Sequence, residues 1–381
     1  GLSFSLMYSL AGIPLGLMAD RVARGKLLAA AVLIWSLGTV LCGFASSYEF
    51  FFFARMLVGT GEAALWPVAI SLIGDLVPQR NRGTAIGWVI IGQLMGSSFS
   101  LIVGGHLLEY AALGGFSNLP VIGGVAPWRM LFILYGVAGA LAILLLLTGT
   151  EPERSRSESV KLSSNPLAGL VEFYRFFLNN WKLMGSLFAL TAMIGAVQYS
   201  GAAWNVPMLL RRFDYGPQQI GMIMGILMIT AGALGSLGGG LITKHFGYSP
   251  TKRCNILIGA YLICSVYGLL VFNPSFTVTL IVLAVPTLLL ALAGVVQLVI
   301  VQDIVPANLR GVTTAISHLF TSLLGASIGP VIVAMLTQHV FQDDKMVGVS
   351  LGMVVGVALL VSVLLASVIR RLVMAKDAHP A

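Results

Sequence analysis

The chain has 381 residues, 57% of them hydrophobic and 9% charged, with a net charge of +8 and a mean hydropathy of +0.94. Soluble domains carry about 25% charged residues, so this composition excludes a soluble globular protein and implies a polytopic membrane protein. The basic residues are scattered through short loops instead of forming one surface, which argues against nucleic-acid binding and makes the charge a topology signal.

Continuous apolar runs point to helices, because barrel strands would alternate polar and apolar residues. Taking each run of about 20 residues as a span predicts eleven, near 1–19, 27–46, 50–74, 83–108, 128–149, 183–210, 218–243, 253–272, 276–302, 311–338 and 347–370. Loops on one side, together with the C-terminal tail, hold 17 of the 22 Lys and Arg. The other side holds Arg129, Arg211, Arg212 and Lys345, and Arg55 lies inside a span. The 17-residue side is therefore expected to be cytoplasmic, in a plasma membrane that the short loops suggest is a bacterial inner membrane. Segment 150–182 begins polar and then turns amphipathic and aromatic, from Leu167 to Trp181. It is either a helix at the membrane surface or an extension of the next span. The expected organisation is an N-terminal lobe over 1–149, a cytoplasmic linker over 150–182 and a C-terminal lobe over 183–381.

An internal repeat supports this division. Asp75-Leu-Val-Pro78-x-x-x-Arg82-Gly83 recurs 228 residues later as Asp303-Ile-Val-Pro306-x-x-x-Arg310-Gly311. Gly16-Leu-Met-Ala19 is echoed by Gly240-Leu-Ile-Thr243 at nearly the same offset. Duplicated halves are the usual plan of a secondary transporter. Six spans in the second half against five in the first predict one further helix before Gly1.

The stretch 54–78 stands out because it is apolar yet carries Arg55 and Glu62. Seven residues on one helix place both side chains on nearly the same side, roughly 10 Å apart. Ionised groups at bilayer depth usually face a cavity or a partner. Glu62 is the only acidic residue deep in any span. Burial favours its neutral form and Arg55 its charged form, a balance suited to proton exchange. The plainer alternative is a structural ion pair. Trp66 on the same stretch, Gln198, Tyr199, Trp204 and Asn205 in the span 183–210, and Gln297 in the span 276–302 are polar or aromatic groups suited to a half-apolar cavity, although interfacial anchoring would also explain Trp204. His318 is expected to serve helix packing. Gly325-Ala-Ser327-Ile-Gly329 matches a nucleophile pattern, but it lies within an apolar helix and lacks a strand-to-helix turn and a triad. No enzyme activity, metal or cofactor is expected.

Gly16-Leu-Met-Ala19-Asp20-Arg21-Val-Ala-Arg24-Gly-Lys26 resembles the cytoplasmic loop motif of the major facilitator superfamily, and Arg55 with Gly59 and Gly61 resembles its fourth-helix motif. Tyr8, Gly12-Ile-Pro14, Gly59-Thr-Gly61-Glu62-Ala-Ala64, Pro67, Trp128-Arg129, Phe132, Glu151-Pro152 and Gly325…Gly329-Pro330 resemble the spinster-like branch more narrowly. The resemblance implies an all-α, two-lobe carrier of twelve helices working by alternating access as a monomer. Its solute would be amphipathic and lysolipid- or sphingolipid-like, with proton coupling through Glu62 and Arg55. A Gly-Glu-Ala setting on that helix also occurs in the organic-anion symporter branch. The resemblance further implies that Asp20, Arg21, Arg24, Asp75 and Arg82 form a cytoplasmic gate, with topogenic charge as the alternative. Lys244 stands where Asp20 would recur, so the two halves are not equivalent.

Overall fold

The computed structural model describes residues 2–19, 22–77, 82–118, 125–148, 166–245, 249–306 and 309–378. Every regular element among them is helical, which keeps each backbone N–H and C=O bonded within its own segment. The elements are α1 (Leu2–Ala19), α2 (Arg24–Phe44), α3 (Tyr48–Glu62), α4 (Leu65–Leu76), α5 (Arg82–Ala112), α6 (Pro127–Thr148), α7 (Pro166–Asn179), α8 (Trp181–Arg212), α9 (Pro217–His245), α10 (Pro250–Cys264), α11 (Phe276–Ile304), α12 (Arg310–Leu319), α13 (Ala326–Met335) and α14 (Val347–Ala378). A 3₁₀ stretch, Ser265–Phe272, extends α10. A π-helical turn, Phe320–Gly325, joins α12 to α13, and a second, Leu336–Phe341, follows α13.

Nine segments among the described residues are long and apolar enough to cross a membrane, and they coincide with nine of the expected spans. The other two differ. The first is α1, 18 residues long. The expected span 50–74 is divided into α3 and α4 at Ala63–Ala64. Pro67 accounts for the division, because it cannot donate an N–H to the Ala63 carbonyl and its ring crowds that oxygen. The chain tightens there instead, with Ala64 N donating to the Gly61 carbonyl three residues back at 3.2 Å.

The amphipathic part of the linker is a helix of its own, α7, and not an extension of the next span. Asn180 leaves helical geometry at φ −122°, ψ 29°, and α8 starts anew at Trp181. Glu151 and Pro152 lie outside the described residues.

The chain forms two compact units, residues 1–158 with 216–225, and residues 159–215 with 226–381. In the first unit α2 packs on α3 and α6, and α3 packs on α1. Leu27, Ala31 and Val32 of α2 and Ala54, Val58, Ala64 and Val68 of α3–α4 are buried there. Glu109 of α5 caps the start of α9, its carboxylate accepting from Gln218 N at 3.0 Å. In the second unit α8 is central, flanked by α14 and α12–α13, while α10 packs on α11 and α14. Phe173 and Phe177 of α7 meet Phe188 of α8, which stacks on Phe320 at 5.1 Å. Each such ring pair adds about 0.5–1.5 kcal/mol beyond simple burial. Phe177→Ala is therefore expected to loosen α7 and speed tryptic cleavage at the exposed Arg175 about fivefold. Unchanged cleavage would show that α7 is held by other contacts.

Candidate functional site

Glu62 is the last residue of α3, and Arg55 lies seven residues before it on the same helix. Both are half-buried. The Arg55 guanidinium carbon lies 5.0 Å from the centre of the Phe4 ring on α1, a cation–π contact. No hydrogen bond or ion pair joins Glu62 to a described residue, and Arg55 is the charge that it senses through space. The carboxylate is positioned by its backbone. Gly59 lets α3 touch the Phe4 carbonyl of α1, and Gly61 lets it touch α2, where an added Cβ would lie 2.6 Å from the Ala31 carbonyl oxygen and 2.7 Å from Trp35 N. The Glu62 region is thus wedged between two helix backbones.

Of the expected gate residues, Asp20 and Arg21 lie outside the described residues. Asp75 falls at the end of α4 and Arg82 at the start of α5, and their side chains also lie outside the description. Arg24 opens α2 and is 1% exposed, a depth at which a charge requires compensation. The second unit contains an ion pair that was not singled out from the sequence. Arg253, near the start of α10, forms a salt bridge through Nη1 with the Asp303 carboxylate at the end of α11, with side chains only 5% and 20% exposed. Asp303 is the repeat counterpart of Asp75, and Arg253 follows Arg24 at almost the same offset. That shared offset was the available signal. Asp303→Asn is expected to lower stability by about 3 kcal/mol in detergent melting, since it removes the carboxylate facing a buried guanidinium. An unchanged melting temperature would show that the pair contributes nothing.

Trp66 belongs to the first unit and the other expected cavity residues to the second. Trp66 and Tyr199 are half-buried and Gln198 is exposed. Trp204 Nε1 donates to the Pro330 carbonyl at 3.0 Å, tying α8 to α13. Asn205 accepts a hydrogen bond from the Tyr267 hydroxyl. Gln297 accepts from the Tyr261 hydroxyl at 3.0 Å and donates to Thr191 Oγ1 at 3.2 Å, linking α8, α10 and α11. Trp204, Asn205 and Gln297 therefore join neighbouring helices within one unit. Tyr261, Tyr267 and Thr191 complete these contacts and were not singled out from the sequence. A tyrosine hydroxyl in an apolar run needs a partner, which was the clue.

The model of the Major Facilitator Superfamily matches residues 1–330. The chain is 26% identical over 268 residues to a "Probable 4-methylmuconolactone transporter" of Cupriavidus pinatubonensis, covering 70% of this chain and 58% of that protein. It is 25% identical over 357 residues to a "Probable L-galactonate transporter" of Escherichia coli, covering 89% and 74%. It is 24% identical over 349 residues to Protein spinster homolog 3 of Mus musculus, covering 87% and 65%. The chain thus spans less than two thirds of the first and third of these relatives. Its fold is similar to the crystal structure of a bacterial homolog to the human lysosomal transporter spinster, with a TM-score of 0.79 and 24% identity over 100% of this chain and 90% of that one. Together with the apolar helices and the duplicated loop motif, these matches show that the chain is a multi-pass membrane protein belonging to the Major Facilitator Superfamily.

Proposed function

We propose that the protein is a secondary carrier that works by alternating access and moves an amphipathic, lysolipid- or sphingolipid-like solute in exchange or symport with protons. The observation that carries this proposal is Glu62, a lone half-buried carboxylate in an apolar helix, with no hydrogen-bond partner among the described residues. A carboxylate without a fixed partner can take up and release a proton, and Arg55 on the same helix modulates it or holds an anionic head group. The choice of solute rests on the resemblance of Tyr8, Gly12-Ile-Pro14 and Gly59-Thr-Gly61-Glu62 to the spinster-like branch. In this proposal the lobes are 1–149 and 183–381, joined by the linker 150–182. Asp20, Arg21, Arg24, Asp75 and Arg82 close the cytoplasmic side, and Trp66, Gln198, Tyr199, Trp204, Asn205 and Gln297 line or brace the solute path. The protein acts as a monomer in a bacterial inner membrane with its C-terminus cytoplasmic.

An organic-anion/proton symporter is the second candidate, favoured by the muconolactone and galactonate transporter relatives. Flux into proteoliposomes decides between the two. Lysophospholipid and small organic acids are offered separately, with and without an imposed pH gradient. Gradient-dependent movement of lysophospholipid alone supports the lipid carrier, and movement of the organic acid alone supports the symporter. Binding with no flux of either would indicate a receptor or scaffold and overturn both.

A further inference from the structure

The motif Trp128-Arg129…Phe132 at the start of α6 has no part in the proposed transport step. It borders a cavity of 260 Å³ within the first unit, between the α2–α3 turn (Ser46 and Ser47) and the start of α6, with Tyr48 and Phe51 completing the wall. The Arg129 guanidinium makes no hydrogen bond or ion pair with any described residue, and its Nε is buried without a partner. Its guanidinium carbon lies 5.1 Å from the Trp128 ring centre. Among the described residues no carboxylate lines the cavity. Glu49, on the first turn of α3, lies outside the lining. Its own backbone N–H and the Ser47 hydroxyl hold its carboxyl below the usual range, so it remains a separate, exposed anion. A partly desolvated guanidinium facing a concave space favours an anion, because a charged donor left unmet is costly. The N-termini of α3 and α6 meet at the same place and add positive partial charge.

The surroundings indicate where that anion comes from. Tyr48, Phe50, Phe53 and Trp128 are exposed where the chain leaves an apolar run, the placement of an aromatic belt at a membrane–water interface. Behind them Phe51 meets Trp128 and Phe132 edge-on at 6.5 and 5.8 Å, holding the wall rigid. The cavity is smaller than one that encloses a drug-sized ligand, which suits a head group whose chains remain outside.

We infer that this cavity binds the phosphate of a membrane phospholipid, with Arg129 as the anchoring donor and the acyl chains lying along the exposed aromatic face. The inference is independent of the transported solute, so it stands or falls without a transport assay. Native mass spectrometry and thermal shift on the full chain in detergent test it, with phosphatidylglycerol, diacylglycerol and inorganic phosphate at equal concentration. Phosphatidylglycerol is expected to remain bound and raise the melting temperature, whereas diacylglycerol and inorganic phosphate have little effect. Arg129→Gln should weaken phosphatidylglycerol retention about tenfold, and Arg129→Lys should weaken it less, since lysine keeps the charge but loses the fork. If Arg129→Gln does not fold, Trp128→Leu at the half-exposed ring serves as the test variant and should also weaken retention. Retention at the wild-type level in the variant, equal protection by diacylglycerol, or equal protection by inorganic phosphate would each overturn the assignment.

Discussion

Proteoliposomes containing Glu62→Gln are expected to lose pH-driven solute accumulation while the protein remains folded and inserted. Glutamine has the size of the protonated carboxyl but cannot release a proton, so any step that requires the charged form stops. A positioned proton-transfer group typically contributes roughly 10²–10⁴ in rate, and a fall of about a hundredfold or more in gradient-driven accumulation is expected. Exchange of solute across the membrane without a gradient should survive, because alternating access itself needs only solute and two lobes. Folding should be little affected, since no hydrogen bond or ion pair ties Glu62 to a described neighbour. Accumulation at the wild-type rate in the variant would remove Glu62 from the coupling mechanism and favour a purely structural role.

Gly59→Leu is expected to abolish recovery of monodisperse protein, and Gly59→Ala to lower stability measurably. The Cβ at this position meets the carbonyl oxygen, carbonyl carbon and Cα of Phe4. All three are backbone atoms in α1 and cannot swing aside as a side chain would. Overpacking in a filled interior typically costs 1–3 kcal/mol for small additions, a large share of the ~5–15 kcal/mol that holds a domain together. Gly61→Ala should behave similarly against the backbone of α2. Gly259 in α10 is the control: no atom of the described residues lies within 4 Å of its Cβ position, so Gly259→Ala should be neutral or stabilising. A Gly59→Ala protein with an unaltered elution profile and melting temperature would show that α1 and α3 can separate at no cost.

The fold was legible because hydrocarbon solvation leaves few options: long apolar runs become helices, and a duplicated loop motif marks two halves. Within that frame the sequence was less informative about breaks. Apolar residues flank the short stretch Gly59–Ala64 on both sides, so composition merged α3 and α4, and only the missing N–H of Pro67 distinguished them. Asn179-Asn180 are a polar dip between α7 and α8, too short by itself to tell a break from a continuous helix. Glu62 and Arg55 were identifiable as rare charges in an apolar stretch, but the reason for Gly59 and Gly61 lies in α1 and α2, distant in sequence. The Arg253–Asp303 pair bridges fifty residues, and no local spacing rule joins them. Polar side chains such as Gln297 and Asn205 look alike in sequence whether they face a cavity or bond to a neighbour. Tyr261 and Tyr267 become visible as their partners only once the helices are packed.

The two π turns between residues 310 and 341 have an evolutionary consequence. A π turn accommodates one residue more than an α turn within nearly the same rise, so Phe320–Gly325 and Leu336–Phe341 each amount to a single inserted residue. Deleting one residue from Phe320–Gly325 would restore α-helical bonding and leave Arg310–Leu319 and Ala326–Met335 in nearly their present orientation to each other. The same deletion inside α13 would instead move buried Ala326 and Gly329 off the α8 surface they pack against. Single-residue length variation in this helix is therefore cheapest at two defined places, where the turn absorbs it and the packing on either side stays intact.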